Sequence, residues 1–399
     1  MTTTTTTTTT GQSRVMVMIE DRETMMTQDA QRKQARGSRV RLMLGILLAL
    51  TLLPAARAET ITIGKGSGIV WEGLPFSGGF YTPITQSNMI NYRGLISIST
   101  SNAACLSGNR LTDIGGYKAY KIADGVGIIP RANVYAFYTK TGRVDETLEG
   151  TIGLPETRGK TSSGYIITNP FPDTDVQWCL SPRMTTTNGF FDVPSFFKIV
   201  SYSGNWVVVA DGSQKNSQVS LPPFYAATFE VSTNNNKYQQ IFPSALTLRI
   251  SNLACTVVTT TAINFGGVER NTTVGSELAS LTYPLTVSCS QDTDRINANV
   301  NVQFRPISGL YNGNVRQLAL NQGGGYITGE INNGVTGSGA CNLNTGIPFD
   351  NTQLKVGAIA STETSKTFSN QVTWRLCSGG ASLPSGPVTA SADMLVTFN

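Results

Sequence analysis

"GPVTASADMLVTFN" (386–399) closes the chain. Chain termini are usually polar and frayed, yet this one alternates without a break. Val388, Ala390, Ala392, Met394, Val396 and Phe398 point one way; Thr389, Ser391, Asp393, Leu395, Thr397 and Asn399 point the other. That period predicts a half-buried strand. It also places the last residues in a core and raises the question of what lies beside them.

Working back from this stretch, nearly every segment reads the same way. "VYAFYTK" (134–140), "FKIVSYS" (197–203), "WVVVA" (206–210), "AATFEVS" (226–232), "LTLRI" (246–250), "YPLTVSC" (283–289) and "NANVNVQF" (297–304) are rich in β-branched and aromatic residues. Clusters of Gly, Asn, Asp and Ser separate them. Gly204-Asn205 reads as a two-residue hairpin turn between two runs. No amphipathic pattern of three helical turns occurs after residue 58. The expected class is all-β, with two β-sandwich domains. A polar stretch, "STNNNKYQQIFPSA" (232–245), suggests the boundary, giving 59–240 and 241–399.

Residues 1–58 read as a leader to be removed. A threonine run is followed by Arg32, Lys33, Arg36, Arg39 and Arg41, then by the apolar "LMLGILLALTLL" and by "AARA", with cleavage expected after Ala58. The apolar run is too short to span a bilayer. Of the 30 Lys and Arg and 25 Asp and Glu in the chain, the remaining residues hold 22 and 21. The excess of positive charge therefore lies in the leader and gives no support for a nucleic-acid partner.

Six cysteines remain: Cys105, Cys179, Cys255, Cys289, Cys341 and Cys377. An even count in an exported chain reads as disulfides. Pairing within each half is simplest: Cys105 with Cys179, then Cys255 with Cys289 and Cys341 with Cys377. The last four allow three connectivities.

The second half resembles the pilin domain of chaperone–usher fimbriae. "NLACTVVTTTAINFGGV" (252–268) carries a first-strand cysteine and an I-x-F-G turn; "YPLTVSCS" (283–290) carries L-x-V-x-C; Phe398 is the penultimate aromatic. The additional pair Cys341/Cys377 departs from many members. The two-domain plan resembles the tip adhesins of these fimbriae, with a lectin-like receptor domain ahead of the pilin domain. The first half lacks a cysteine at its start and so departs from the mannose-binding type.

The resemblance implies an immunoglobulin-like pilin fold lacking its last strand, whose groove accepts a strand from outside. The groove edge would be Ala392, Met394, Val396 and Phe398, and no residues remain after them to close the sheet. The implied partners are a periplasmic pilus chaperone, an outer-membrane usher, an adjacent subunit donating a strand, and a host surface receptor, a glycan. The implied destination is the fimbrial tip. Such strand donation is a form of β-strand addition.

The chain has no histidine, which removes Ser-His-Asp and Cys-His catalysis and His-ligated zinc. No cofactor and no metal are expected, and no enzyme. Paired carboxylates could still hydrolyse glycosides, so a secreted β-sandwich glycosidase is one alternative. A structural fimbrial subunit without a ligand is the other. "GKGSG" (64–68) lacks the Lys-Ser/Thr of a phosphate loop and reads as a turn. For sugar binding, aromatic faces beside polar groups are wanted. Glycine-rich segments offer Trp71 and Tyr81, and "DIGGYKAYK" (113–121) offers Asp113, Tyr117 and Tyr120. Trp178, beside a cysteine, reads as core.

Overall fold

The computed structural model describes residues 60–83, 94–140, 144–169, 175–181, 197–229, 236–242 and 246–399. The expected leader lies outside these. Among the described residues, the regular structure is strand, with short 3₁₀ turns at Gly108–Arg110 and Tyr311–Gly313. The three disulfides are Cys105–Cys179, Cys255–Cys289 and Cys341–Cys377.

The first half is built on a long antiparallel sheet. Its central strand, Phe197–Asp211, pairs with Ser67–Pro83 on one side and Val126–Lys140 on the other. Val144–Gly153 and Arg158–Thr161 extend the sheet beyond Val126–Lys140. The hairpin Leu111–Ile114/Tyr117–Ala123 attaches to its other end. One face buries an aromatic cluster. Trp206 packs on Phe224 with ring centroids 4.7 Å apart and meets Phe242 edge-on at 5.1 Å. Trp178 is buried there as well.

Gly204-Asn205 does not form the expected turn. The strand runs through both residues, with a register shift between Gly204 and Trp206. A Cβ on Gly204 would stand 2.3 Å from the Arg131 carbonyl oxygen and 2.7 Å from the Ala132 Cα. The glycine serves close backbone approach at a bulge, where a local reading sees only turn chemistry.

The second half packs two sheets face to face. One is ordered Ala254–Thr259, Glu277–Ser290, Ser365–Ser378, Gly325–Ile331 and Leu318–Ala319. The facing strands are Leu354–Ile359, Ala298–Pro306 and Ala392–Phe398. Leu285, Val287 and Val372 from the first meet Val300, Val302, Phe304 and Phe398 from the second in one core. The changeover between the two hydrophobic cores falls after Ile250, since Ile241, Phe242, Leu246, Leu248 and Ile250 all pack with the first. The expected boundary after Gln240 follows local polarity, whereas Phe242 is drawn in by Trp206.

The sheet containing the last strand belongs to both halves. Thr60–Ile63 lies parallel to Thr247–Ile250 and meets the last strand at Thr62 and Phe398. The regular strand there spans Ala392–Phe398; residues 386–391 precede it. Its polar face is not all solvated: Thr397 is buried and Leu395 half-buried. Gln303 occupies the space, accepting from the Thr397 hydroxyl and donating to the Glu72 carbonyl at 3.0 Å.

A charged group sits in this seam. Glu72 (side chain 5% exposed) is ion-paired with Arg131 at 3.2 Å and accepts from the Asn351 amide at 3.3 Å. Arg305 pairs with Asp393 nearby. Burial raises the Glu72 carboxyl above its ordinary pKa, and Arg131 opposes that rise. Arg131→Ala is therefore expected to destabilise the protein by about 3 kcal/mol at pH 7, because a buried carboxylate loses its partner. The further-raised folded-state pKa sets the sign: above it the variant buries an uncompensated charge, and below it Glu72 is protonated and the penalty shrinks. Urea unfolding of wild type and variant at pH 7 and pH 4 checks this. A penalty that stays constant or grows on acidification would contradict it.

Candidate functional site

The last strand has a neighbour on one side only along most of its length. Toward Ala298–Pro306 it is paired from Ala392 to Phe398. On the other side, among the described residues, it pairs at Phe398 alone, with Thr62. Ala392, Met394, Leu395 and Val396 are half-buried along this edge. Unpaired edges carrying apolar side chains are sites of strand addition or aggregation.

Opposite that edge runs the segment that leaves Ala254–Thr259. Between them is a groove of about 1000 Å³, walled by residues 259–268 and by residues 386–394. Its floor is core: Leu285, Phe304, Leu318, Val372, Trp374 and Leu376. Trp374 crosses Phe304 edge-on at 5.9 Å. Its indole lies over Gly329, where a Cβ would come within 2.7 Å of the ring. Ile263 and Phe265 of the I-x-F-G segment are half-buried on the wall. The sandwich is therefore open between its two sheets, at the place where one more strand would join them. An apolar floor beside a free backbone edge suits an extended peptide with apolar residues at every second position.

Ala392 and Met394 line the groove. Val396 and Phe398 lie beyond its lining. Phe398 is buried against Gly64, where a Cβ would come within 2.8 Å of the ring. Two features of the groove escaped the sequence: the floor, assembled from strands far apart in the chain, and the wall formed by residues 386–391.

The five expected ligand-binding residues do not come together. Trp71 is buried, and its indole covers Gly73. Tyr120 is half-buried with its ring edge-on to Phe224 at 5.3 Å, and Tyr117 packs beside the same core. Asp113 is exposed and bridges to Lys118 at 2.8 Å. Gly115, at the tip of that hairpin, approaches Gly68 and Ala210. Tyr81 stands at the other end of the same long strand, roughly 40 Å away at the usual rise per residue. Tyr81 is 66% exposed and stacks on Phe197 at 4.7 Å. Of the five, it alone combines an exposed ring with an aromatic partner. Among the described residues, no group of His, Cys, Asp and Glu has the arrangement to hold a metal ion.

No family model and no curated relative matches the chain. Three solved structures are similar to it over most of their length. The CupB6 tip adhesin from Pseudomonas aeruginosa shares 12% identity over 84% of this chain and 88% of its own, with a TM-score of 0.25. A chaperone–tip adhesin complex of CFA/I fimbriae biogenesis shares 9% over 85% and 95%, with a TM-score of 0.20. The CFA/I adhesin CfaE of enterotoxigenic E. coli, in a mutant form, shares 10% over 85% and 96%, with a TM-score of 0.17. At such TM-scores these likenesses carry no argument; the groove and the seam stand on the chain's own geometry.

Proposed function

We propose that this protein is a fimbrial tip adhesin that attaches bacteria to host surface receptors, with glycans as the receptor class. Its second half accepts a strand, first from a periplasmic chaperone and then from the adjacent subunit, and passes through an outer-membrane usher to the fimbrial tip. Its first half presents the receptor-binding surface. The action is non-covalent recognition. The observation that carries this reading is the open apolar groove beside the unpaired edge of Ala392–Phe398. Of its lining, Leu285, Phe304, Leu318, Val372 and Leu376 are already buried, while Ile263, Phe265, Ile327, Trp374 and Met394 are half-buried; an added strand gains by covering what these last still expose.

The test is occupancy. A synthetic peptide with Ile or Val at alternate positions, titrated into the purified protein, is expected to raise the melting temperature. It is also expected to slow hydrogen exchange at the amides of residues 392–397. A peptide with Asp at its two central inward positions is expected to do neither. If the apolar peptide leaves both the melting curve and the exchange unchanged, the strand-accepting role fails. In bacteria, deletion of the protein is expected to abolish adhesion while fimbrial shafts persist. Loss of the shafts with no specific loss of adhesion would favour a structural subunit.

A further inference from the structure

The long sheet of the first half has one face on the aromatic core and one face free. Strand alternation fixes which side chains stand on the free face. On Phe197–Asp211 these are Phe197, Ile199, Ser201 and Ser203, all exposed, while Lys198, Val200 and Tyr202 point inward. In register beside them stand Ser77, Gly79 and Tyr81 on one neighbouring strand and Asn133, Tyr135 and Phe137 on the other. Across the next pairing, Tyr135 faces Glu149 and Asn133 faces Thr151.

This face is not uniform. At one end Tyr81, Phe197 and Ile199 form an exposed apolar ridge, with the two rings stacked at 4.7 Å and 14°. Beyond the ridge the central strand and its neighbour on one side carry small residues, Ser201 and Ser203 beside Gly79 and Ser77. Next to them a shallow trough, wide open to solvent, runs across three strands, with Ser201, Tyr135 and Glu149 in one row and Ser203, Asn133 and Thr151 in the next.

From this arrangement we infer that the trough is a saccharide subsite for a neutral pyranose. The inference rests on the receptor-binding reading of the first half and deepens it. Three observations select the occupant. A pyranose presents an apolar C–H face and a rim of hydroxyls; the trough supplies an aromatic ring, Tyr135, and a floor of hydroxyl, amide and carboxylate groups. A peptide strand cannot add here, because Phe197–Asp211 and Val126–Lys140 are each paired on both sides and offer no free backbone edge. The one charged side chain lining the trough is Glu149, which disfavours sialylated or sulfated sugars and accepts from neutral hydroxyls.

The full chain, displayed at high density on beads, is passed over an array of oligosaccharides ending in galactose, N-acetylgalactosamine, N-acetylglucosamine, mannose or fucose, with sialylated counterparts. Wild type is expected to be retained by neutral termini. Ser201→Trp, which fills the floor, and Tyr135→Ala, which removes the ring, are each expected to reduce retention at least ten-fold. Their melting curves should match wild type, since both sites are on the solvent face. Tyr238→Ala, at an exposed ring that meets Tyr225 edge-on on another sheet, is expected to leave retention unchanged. Retention of both trough variants at the wild-type level overturns the subsite while leaving the glycan reading intact. Retention only by sialylated termini overturns the neutral assignment. Absence of any retention overturns the subsite and the glycan reading together, and leaves the strand-accepting groove unaffected.

Discussion

Phe398→Asp is expected to unfold the second half of the molecule. The ring is buried in the core shared by the two facing sheets, with Val300 beside it in register on one side and Thr62 on the other. It lies on Gly64, and nothing larger than glycine fits beneath it. Removing a buried phenylalanine ring costs about 3–5 kcal/mol, and an unpaired carboxylate in its place adds several more. The sum approaches the whole stability of an ordinary domain. Phe398→Leu, which keeps most of the volume, is expected to cost no more than about 1.5 kcal/mol. Hydrogen exchange read by mass spectrometry separates the halves. In the aspartate variant, amides of Ala298–Pro306 and Ser365–Ser378 should lose protection. Those of Val126–Lys140 and Phe197–Asp211 should keep it, since the first core contains no part of the last strand. Full protection in both halves would show that Phe398 anchors nothing.

Replacing Cys105 and Cys179 together by alanine is expected to destabilise the first half by about 4.5 kcal/mol. The two are 74 residues apart in sequence, and the chain-entropy cost of an open loop of that length is of this size. The bridge joins segments tied otherwise by short pairings, Leu106–Ser107 with Val176–Gln177 and Ile96–Ser99 with Cys179–Leu180. Cys179 is fully buried, with its sulfur where a Cβ on Gly94 would stand, 2.2 Å away. Alanine leaves no orphaned polar group there, so the loss reports the cross-link and a small cavity. Urea unfolding followed by Trp fluorescence measures it, since Trp71, Trp178 and Trp206 all lie in the first core. A change below about 1 kcal/mol would mean that the unfolded chain is already restrained near these residues.

The terminus itself shows why a local pattern can be read so far and no further. Asn399 does not fray: its N–H donates to the Asn299 carbonyl at 3.3 Å and its own carbonyl accepts from the Asn299 N–H at 2.8 Å. Its side-chain amide donates to Gln353 at 2.9 Å. The alternation of residues 392–398 foretold a core-facing strand, because side-chain direction follows the two-residue period whatever the strand packs against, although residues 386–391 alternate as well and form none. It could not foretell that Leu395 and Thr397, on the polar side, would also be covered, because their cover is Gln303, 94 residues from Thr397, and the strand carrying Glu72, farther still in the chain.

The same division runs through the site. The all-β class and the pairing of Cys105 with Cys179 were legible, since each depends on local periodicity or on counting. Phe197, Ile199, Ser201 and Ser203 visibly alternate with Lys198, Val200 and Tyr202, yet both sets contain aromatic and polar residues. Only the packing of Tyr202 and Trp206 over Phe76, with the Tyr202 hydroxyl donating to Gln239, decides which set meets solvent. Trp71 and Tyr120 went the opposite way, from candidate ligand contacts into the core, because glycine-rich neighbours mark close packing as readily as they mark an open loop. By itself the sequence determined the all-β class, the bridge from Cys105 to Cys179 and the apolar face of the last strand. The tertiary structure alone decided the open groove, the charged seam and the serine-floored trough, because each is made by backbone segments that become neighbours only when the sheets close.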